Sequence, residues 1–194
     1  EKYDGVRCYW DGTCLYSRHG KKLDHIPAFF TAGLPSDTPL DGELWVERGL
    51  APETSLFFRS QKMEDWRKVK FCIFDIPDEN LPLEKRIAML QALEIPEESR
   101  GHIIKVKHEK CTSPSHMFNY YESVLKEHGE GIVLRAPHSY YRPGRSPFMC
   151  KWKSFQDTEV KMIQAHEKTN ALICEQYVQN LFLFSMTYTF CRLD

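Results

Sequence analysis

A chain of 194 residues is long enough for one sizeable core, or for one domain and the start of a second. Its hydrophobic, aromatic and charged fractions of 42%, 13% and 27% are those of a globular chain and exclude a disordered or fibrous one. A formal net charge of −1 gives no general signature of a nucleic-acid partner, so any such contact has to come from local clusters.

The first elements are strands. Asp11-Gly12 lies between Val6 to Trp10 and Thr13 to Ser17, both rich in β-formers, and predicts a hairpin with a two-residue turn. Further strands are expected over Leu40 to Val46, Val69 to Ile76, Ile103 to Val106, Gly131 to Arg135, Phe148 to Trp152 and Glu159 to Ala165. Two segments read as helices. The first has Pro82 in its opening turn and Leu83, Ile87, Leu90 and Leu93 at helical spacing. The second starts with Ser115 as N-cap, places Phe118, Tyr121 and Leu125 on one face and ends at Gly129. Without strict βαβ alternation this is an α+β pattern, mainly antiparallel sheets flanked by helices. After Gln156-Asp157 the chain changes to short strand-like runs, Val160 to Ala165, Ala171 to Ile173 and Leu181 to Phe184, and a domain boundary is expected there.

Several chemistries find no support. Seven cysteines, an odd number with no Cys-x-x-Cys pair, argue against a zinc site and a disulfide scaffold and fit a reducing, intracellular compartment. The eight histidines have no metal-ligand spacing, and there is no Walker-type glycine loop and no nucleophile elbow. No apolar run approaches the roughly 20 residues that span a bilayer, so no membrane partner is expected, and the opening Glu1-Lys2-Tyr3-Asp4 is not a signal sequence. One basic cluster stands out: Arg142, Arg145, Lys151 and Lys153, interleaved with Tyr141, Phe148 and Trp152. On charge alone it also reads as a solvated loop beside a strand.

Five segments recur in a fixed order: Lys2 to Arg7, Asp41-Gly42-Glu43, Phe74-Asp75, Glu130-Gly131-Ile132-Val133 and Lys151-Trp152-Lys153. Singly, each has a structural reading as a turn, a core residue or a helix end. Together and in order they resemble the motifs of the covalent nucleotidyltransferase superfamily of DNA ligases, RNA ligases and mRNA capping enzymes. The stretch from Tyr141 to Glu159, through Arg-Pro-Gly-Arg-Ser-Pro and Lys-Trp-Lys, resembles most closely the small ATP-dependent DNA ligases of viral and bacterial type. The similarity covers about residues 1 to 166.

That resemblance implies an adenylation domain of ATP-grasp-like fold over residues 1–157, and an OB-fold-like β segment over 158–194. It implies ATP as cofactor, with AMP carried covalently on Lys2, Mg²⁺ as the metal, and nicked double-stranded DNA as the partner of a monomeric enzyme. A lysine amine attacks an α-phosphate only when neutral, a state favoured by nearby cations or desolvation. By the resemblance, Glu1, Arg7, Arg18, Glu43, Phe74, Lys151 and Lys153 bind nucleotide. Glu43 takes the ribose, Phe74 the adenine, and the two lysines the α-phosphate. Glu130 and Asp41 are the metal carboxylates. Arg18, Arg142 and Arg145 meet DNA, with Arg7 and Arg18 assigned to the sugar or the 5′-phosphate of the nick.

The alternatives are an RNA ligase, a capping guanylyltransferase, or a non-catalytic DNA-binding remnant. The 37 residues from Thr158 to Asp194 are fewer than a five-stranded OB-fold needs. Only Glu1 precedes Lys2, so a fragment impaired in self-adenylylation is expected.

Overall fold

In the computed structural model, residues 1–60, 62–153, 160–165, 172–176 and 186–188 are described. The chain divides into two compact units, Glu1–Lys153 and Ser154–Asp194. The first is built on strands β1 (Val6–Trp10), β2 (Leu15–Ser17), β3 (Leu40–Trp45), β4 (Lys70–Asp75) and β5 (Ile103–Lys105) in the order β2-β1-β3-β4-β5. All neighbours run antiparallel except β4 and β5, which are parallel. A separate antiparallel pair joins β6 (Gly131–Arg135) to β7 (Met149–Lys153). In the second unit, β8 (Val160–Ala165), β9 (Leu172–Gln176) and β10 (Met186–Tyr188) form an antiparallel sheet with β9 in the middle. The run Leu181 to Phe184 lies outside the described residues.

Alternation along the strands gives the main sheet its two faces. Register aligns Cys8 with Gly42 and Gly42 with Ile73, and beside them Leu44 with Phe71. This face is apolar, and Phe30 of α1 (Ala28–Thr31), Trp66 of α3 (Met63–Trp66) and Leu90 of α4 (Leu83–Ala92) join its buried cluster. Each such side chain contributes roughly 1.5–3 kcal/mol relative to exposure. The other face carries Arg7 opposite Glu43, and Glu43 opposite Cys72. A register shift near Asp41, where Gly42 faces Ile73 but Asp41 faces Asp75, leaves Phe74 as the extra residue of a bulge.

Several expectations are corrected. The first hairpin turns one residue later than expected: the Asp11 amide donates to the Cys14 carbonyl at 3.2 Å, so Gly12 and Thr13 make the turn, and the Asp11 carboxylate accepts from the amides of Thr13 and Cys14, both at 2.7 Å. That side chain closes the loop as an Asx-turn. Helix α5 (Pro114–Lys126) is capped by Ser113, not Ser115; the Ser113 hydroxyl accepts from the His116 amide at 3.0 Å, and Pro114 occupies the first turn. At its end the left-handed residue is His128, φ 62°, rather than Gly129. Phe118 faces solvent at 48% exposure, while Tyr121, Val124 and Ile132 form the small core under α5.

Helix α2 (Ala51–Arg59) was not anticipated: Thr54 is its one fully buried residue, and Leu50, Phe57 and Phe58, which pack against the core, make a stripe too short to show a period. The helices α1 and α3, and a 3₁₀ turn at Glu97–Ser99, are too short to show a period.

Asp75, at the end of β4, ties the sheet to α4 and to β6. Arg86 Nε donates to Asp75 Oδ1 at 2.9 Å and Nη2 to Oδ2 at 3.2 Å, while Arg135 of β6 pairs with the same Oδ2. Arg86 and Asp75 are each 1% exposed, and Arg86 Nη1 also donates to the carbonyls of Leu81 and Ser139. Removing one member of a buried pair leaves an uncompensated charge. Arg86→Ala is therefore expected to lower stability by about 3 kcal/mol, read as a lower denaturation midpoint at unchanged slope.

Candidate active site

Lys2 lies in the extended segment before β1 and is held at both ends. Its backbone amide donates to the Gly131 carbonyl at 2.8 Å, and its ammonium pairs with the carboxylate of Glu130. The following residues are fastened to β3: the Tyr3 ring meets Trp45 edge-on at 5.1 Å, and Trp45 Nε1 donates to Asp4 at 2.9 Å. Gly5 then lets the chain pass against the sheet, since a Cβ there would sit 2.0 Å from the Leu44 carbonyl oxygen. Gly131 is equally constrained, with φ 151° and its would-be Cβ 2.2 Å from the Trp152 carbonyl oxygen.

Glu130 stands between two lysines. Besides Lys2 it accepts from Lys153 Nζ at 3.3 Å. Burial acts to raise its carboxyl, but these lysines prevail and hold it below its ordinary value. On β7, Lys151 and Lys153 alternate with Trp152, whose ring packs edge-on against Phe118 at 5.7 Å and Tyr121 at 6.3 Å. Trp152 thus anchors one face of the strand, and the two lysines take the other.

Beneath them is the polar face of the main sheet. Glu43 is pushed up to about 7, chiefly by burial, against the opposing pull of Lys2, Arg7 and Lys151. It accepts no hydrogen bond from the described residues. Arg7 Nε and Nη2 grip Asp41 at 2.9 and 2.5 Å, and Tyr141 donates its hydroxyl to Asp41 Oδ2 at 2.9 Å. The Arg7 guanidinium lies 5.9 Å from the centre of the Phe74 ring.

Of the residues singled out from the sequence, the structure brings Lys2, Arg7, Asp41, Glu43, Phe74, Glu130, Lys151 and Lys153 into this one neighbourhood. Glu1 is adjacent, but both of its carboxylate oxygens are taken by Arg48 at 2.8 Å. Arg18 sits in the exposed turn after β2 and hydrogen-bonds its neighbour His19. Arg142 and Arg145 are exposed and form no ion pair among the described residues. Both oxygens of Asp41, expected as a helper metal carboxylate, are engaged by Arg7 and Tyr141. Among the described residues no three of His, Cys, Asp and Glu converge as a metal-holding group.

Sequence reasoning missed Arg48, Arg86 and Arg135, and gave Tyr141 no specific partner. Their role is long-range pairing, for which there is no local pattern.

The raised Glu43 carboxyl has a consequence for stability. Its folded-state value lies above the ordinary 4.5, so the folded chain binds this proton more tightly than the unfolded one. That contribution is complete below about pH 4.5 and is lost as pH rises through about 7. The stability of Glu43→Gln relative to the native chain is therefore expected to rise across this window, by up to about 3 kcal/mol; denaturant titrations at several pH values measure it.

Comparison with known proteins gives the same neighbourhood a family. The ATP dependent DNA ligase domain matches residues 1–153. A DNA ligase of Haemophilus influenzae is 34% identical over 167 residues, covering 86% of this chain and 61% of that protein, so the chain spans less than two thirds of its relative's length. A structure described as "DNA binding with a minimal scaffold: Structure-function analysis of Lig E DNA ligases" aligns with TM-score 0.81 and 31% identity over 98% of this chain and 77% of that one. The Chlorella virus DNA ligase-adenylate shares the fold, with TM-score 0.65 and 22% identity over 96% of this chain and 76% of the other. The chain belongs to the ATP-dependent DNA ligase domain family.

Proposed function

We propose that this chain performs the covalent adenylyl transfer of an ATP-dependent DNA ligase, with Lys2 as nucleophile. The observation that carries the reading is the placement of the Lys2 amine on Glu130, beside Lys153 and over the Glu43 and Arg7 face of the sheet. Lys2 Nζ attacks the α-phosphate of ATP. An N–P bond forms, the bond to pyrophosphate breaks, and the amine loses its proton. AMP next passes to the 5′-phosphate of a nick, breaking the N–P bond, and the 3′-hydroxyl then displaces AMP to join the strands.

Phosphoryl transfer relies on positioning and charge neutralisation. Lys151 and Lys153 hold the α-phosphate, and Phe74 at its bulge stacks on adenine. Glu43 hydrogen-bonds the ribose; a carboxyl titrating near 7 either donates to or accepts from a hydroxyl. Arg7, held by Asp41 and Tyr141, meets the sugar or the nick 5′-phosphate. Glu1 frames the nucleotide pocket through its place before Lys2, its carboxylate being held by Arg48. Arg18, Arg142 and Arg145, all exposed, are the contacts to the phosphates of nicked duplex DNA, from a monomer acting inside the cell. Residues 158–194 form the beginning of an OB-fold unit after the adenylation domain of 1–157.

Mg²⁺ binds through one or two carboxylates together with substrate phosphates. Glu130, a partly exposed carboxylate beside the proposed phosphate site, would hold it in place of the Lys2 and Lys153 ammoniums that its two oxygens otherwise meet. Bound there, the ion would supply charge neutralisation at the phosphates. Asp41 is better assigned to holding Arg7.

The test is sealing of a nicked duplex by the chain with ATP or GTP. Sealing with ATP, lost in Lys2→Ala and reduced about 100-fold in Lys153→Ala, is expected. Preference for GTP would turn the reading to a capping guanylyltransferase, preference for an RNA nick to an RNA ligase, and DNA binding without sealing to a non-catalytic remnant.

A further inference from the structure

Two segments far apart in sequence must deliver Lys2 and Glu130 to each other, and one guanidinium on a third segment holds both. Arg48 follows β3. Its Nε and Nη2 donate to the two carboxylate oxygens of Glu1, each at 2.8 Å, and Glu1 immediately precedes Lys2. Its Nη1 donates to the Glu127 carbonyl at 3.3 Å and also pairs with the Glu127 carboxylate. Glu127 ends α5 three residues before Glu130, and the turn between is tight: His128 has φ 62°, and the Gly129 amide donates to the Val124 carbonyl at 2.8 Å.

We propose that Arg48 is a positioning residue that sets the geometry between the Lys2 amine and Glu130. The inference rests on the reading of Lys2 as nucleophile. An isolated exposed ion pair does little for stability, but this one is bidentate, shared between two acids, and closed over a Glu1 side chain only 14% exposed. The arginine fork is what makes the link rigid. A lysine in its place offers a single point charge on a flexible stem and cannot span both oxygens of Glu1 and the end of α5 together. The contact lies outside the apolar clusters, so its loss is expected to be felt in geometry more than in folding. A misplacement of about 1 Å at a reacting group is enough to slow a reaction about 100-fold.

The experiment compares the full chain with Arg48→Ala, Arg48→Lys, Glu1→Ala and the Arg48→Ala/Glu1→Ala double variant. The first readout needs no nucleotide: the rate at which acetic anhydride labels Lys2, followed by peptide mapping. Loosening the Lys2 and Glu130 pair is expected to change that rate at least threefold in both Arg48 variants. A control variant at the exposed Lys22–Asp24 pair, Lys22→Ala, is expected to leave it unchanged.

The second readout is adenylylation of Lys2, expected to slow 10- to 100-fold in Arg48→Ala and Arg48→Lys with the apparent KM for ATP shifted less than threefold. The double variant should be no slower than the worse single one, as coupled residues require. Sealing of a nick that already carries AMP forms no new bond to Lys2 and should fall far less.

Unchanged Lys2 labelling in Arg48→Ala, full rescue by Arg48→Lys, additive losses in the double variant, or equal losses in adenylylation and in sealing of the pre-adenylated nick would each overturn the proposal. A native chain that takes no AMP at all would sink the ligase reading instead, and the acetylation rates would still decide this one.

Discussion

The ammonium of Lys2 and the carboxylate of Glu130 meet across 128 positions of sequence, and most of what distinguishes this domain serves that meeting. A strand-like segment has to approach the start of β6 closely enough for the Lys2 amide to bond the Gly131 carbonyl. Only glycine permits it: residue 131 has a backbone conformation that side chains disfavour, and a Cβ would run into β7. The packing of Trp152 on α5 then turns Lys151 and Lys153 to the opposite face of β7. Main-chain geometry thus comes first, and the charge constellation follows from it.

Collecting so many ionic groups on one face has an electrostatic cost, which the structure offsets by pairing. Arg7 is answered by Asp41 and Tyr141, Glu130 by two lysines, Glu1 by Arg48, and Asp75 by Arg86 and Arg135. Glu43 is the exception. It is partly buried without a hydrogen-bond partner among the described residues, and its carboxyl rises accordingly. Groups with perturbed pKa values gather where ligands are received, and on the proposed reading this easily neutralised acid would face the ribose. On that reading, the pairs of Lys153 with Glu130 and of Arg7 with Asp41 would hold these cations in place beforehand, which is where electrostatic catalysis gets its advantage.

How far this was readable from the sequence depends on the range of the interaction. Strands of the first unit were legible to within a residue or two, β1 and β6 at both ends, because their period is local, whereas in the second unit β9 runs three residues past its expected end and β10 was not foreseen. The five ordered segments do gather around Lys2, although none of them shows why. Helix α2 was hidden by the shortness of its apolar stripe, and Ser113 was overlooked as a cap although Ser-Pro at a helix start is its usual signature. The first turn falls one residue later than Asp-Gly alone suggests, because the Asp11 carboxylate takes the backbone amides of Thr13 and Cys14. Arg48, Arg86 and Arg135 were beyond reach: their partners lie up to 79 residues away, and an arginine gives no sequence cue to its partner.

The central claim is that Lys2 is the atom-bearing nucleophile of an adenylyl transfer. The most direct measurement is to incubate the chain with ATP and Mg²⁺, digest it, and locate any AMP adduct by mass spectrometry. The account predicts one adduct, on the peptide holding Lys2 and on its side-chain nitrogen. An adduct on Lys151, Lys153 or any other residue, with Lys2 unmodified, would contradict it.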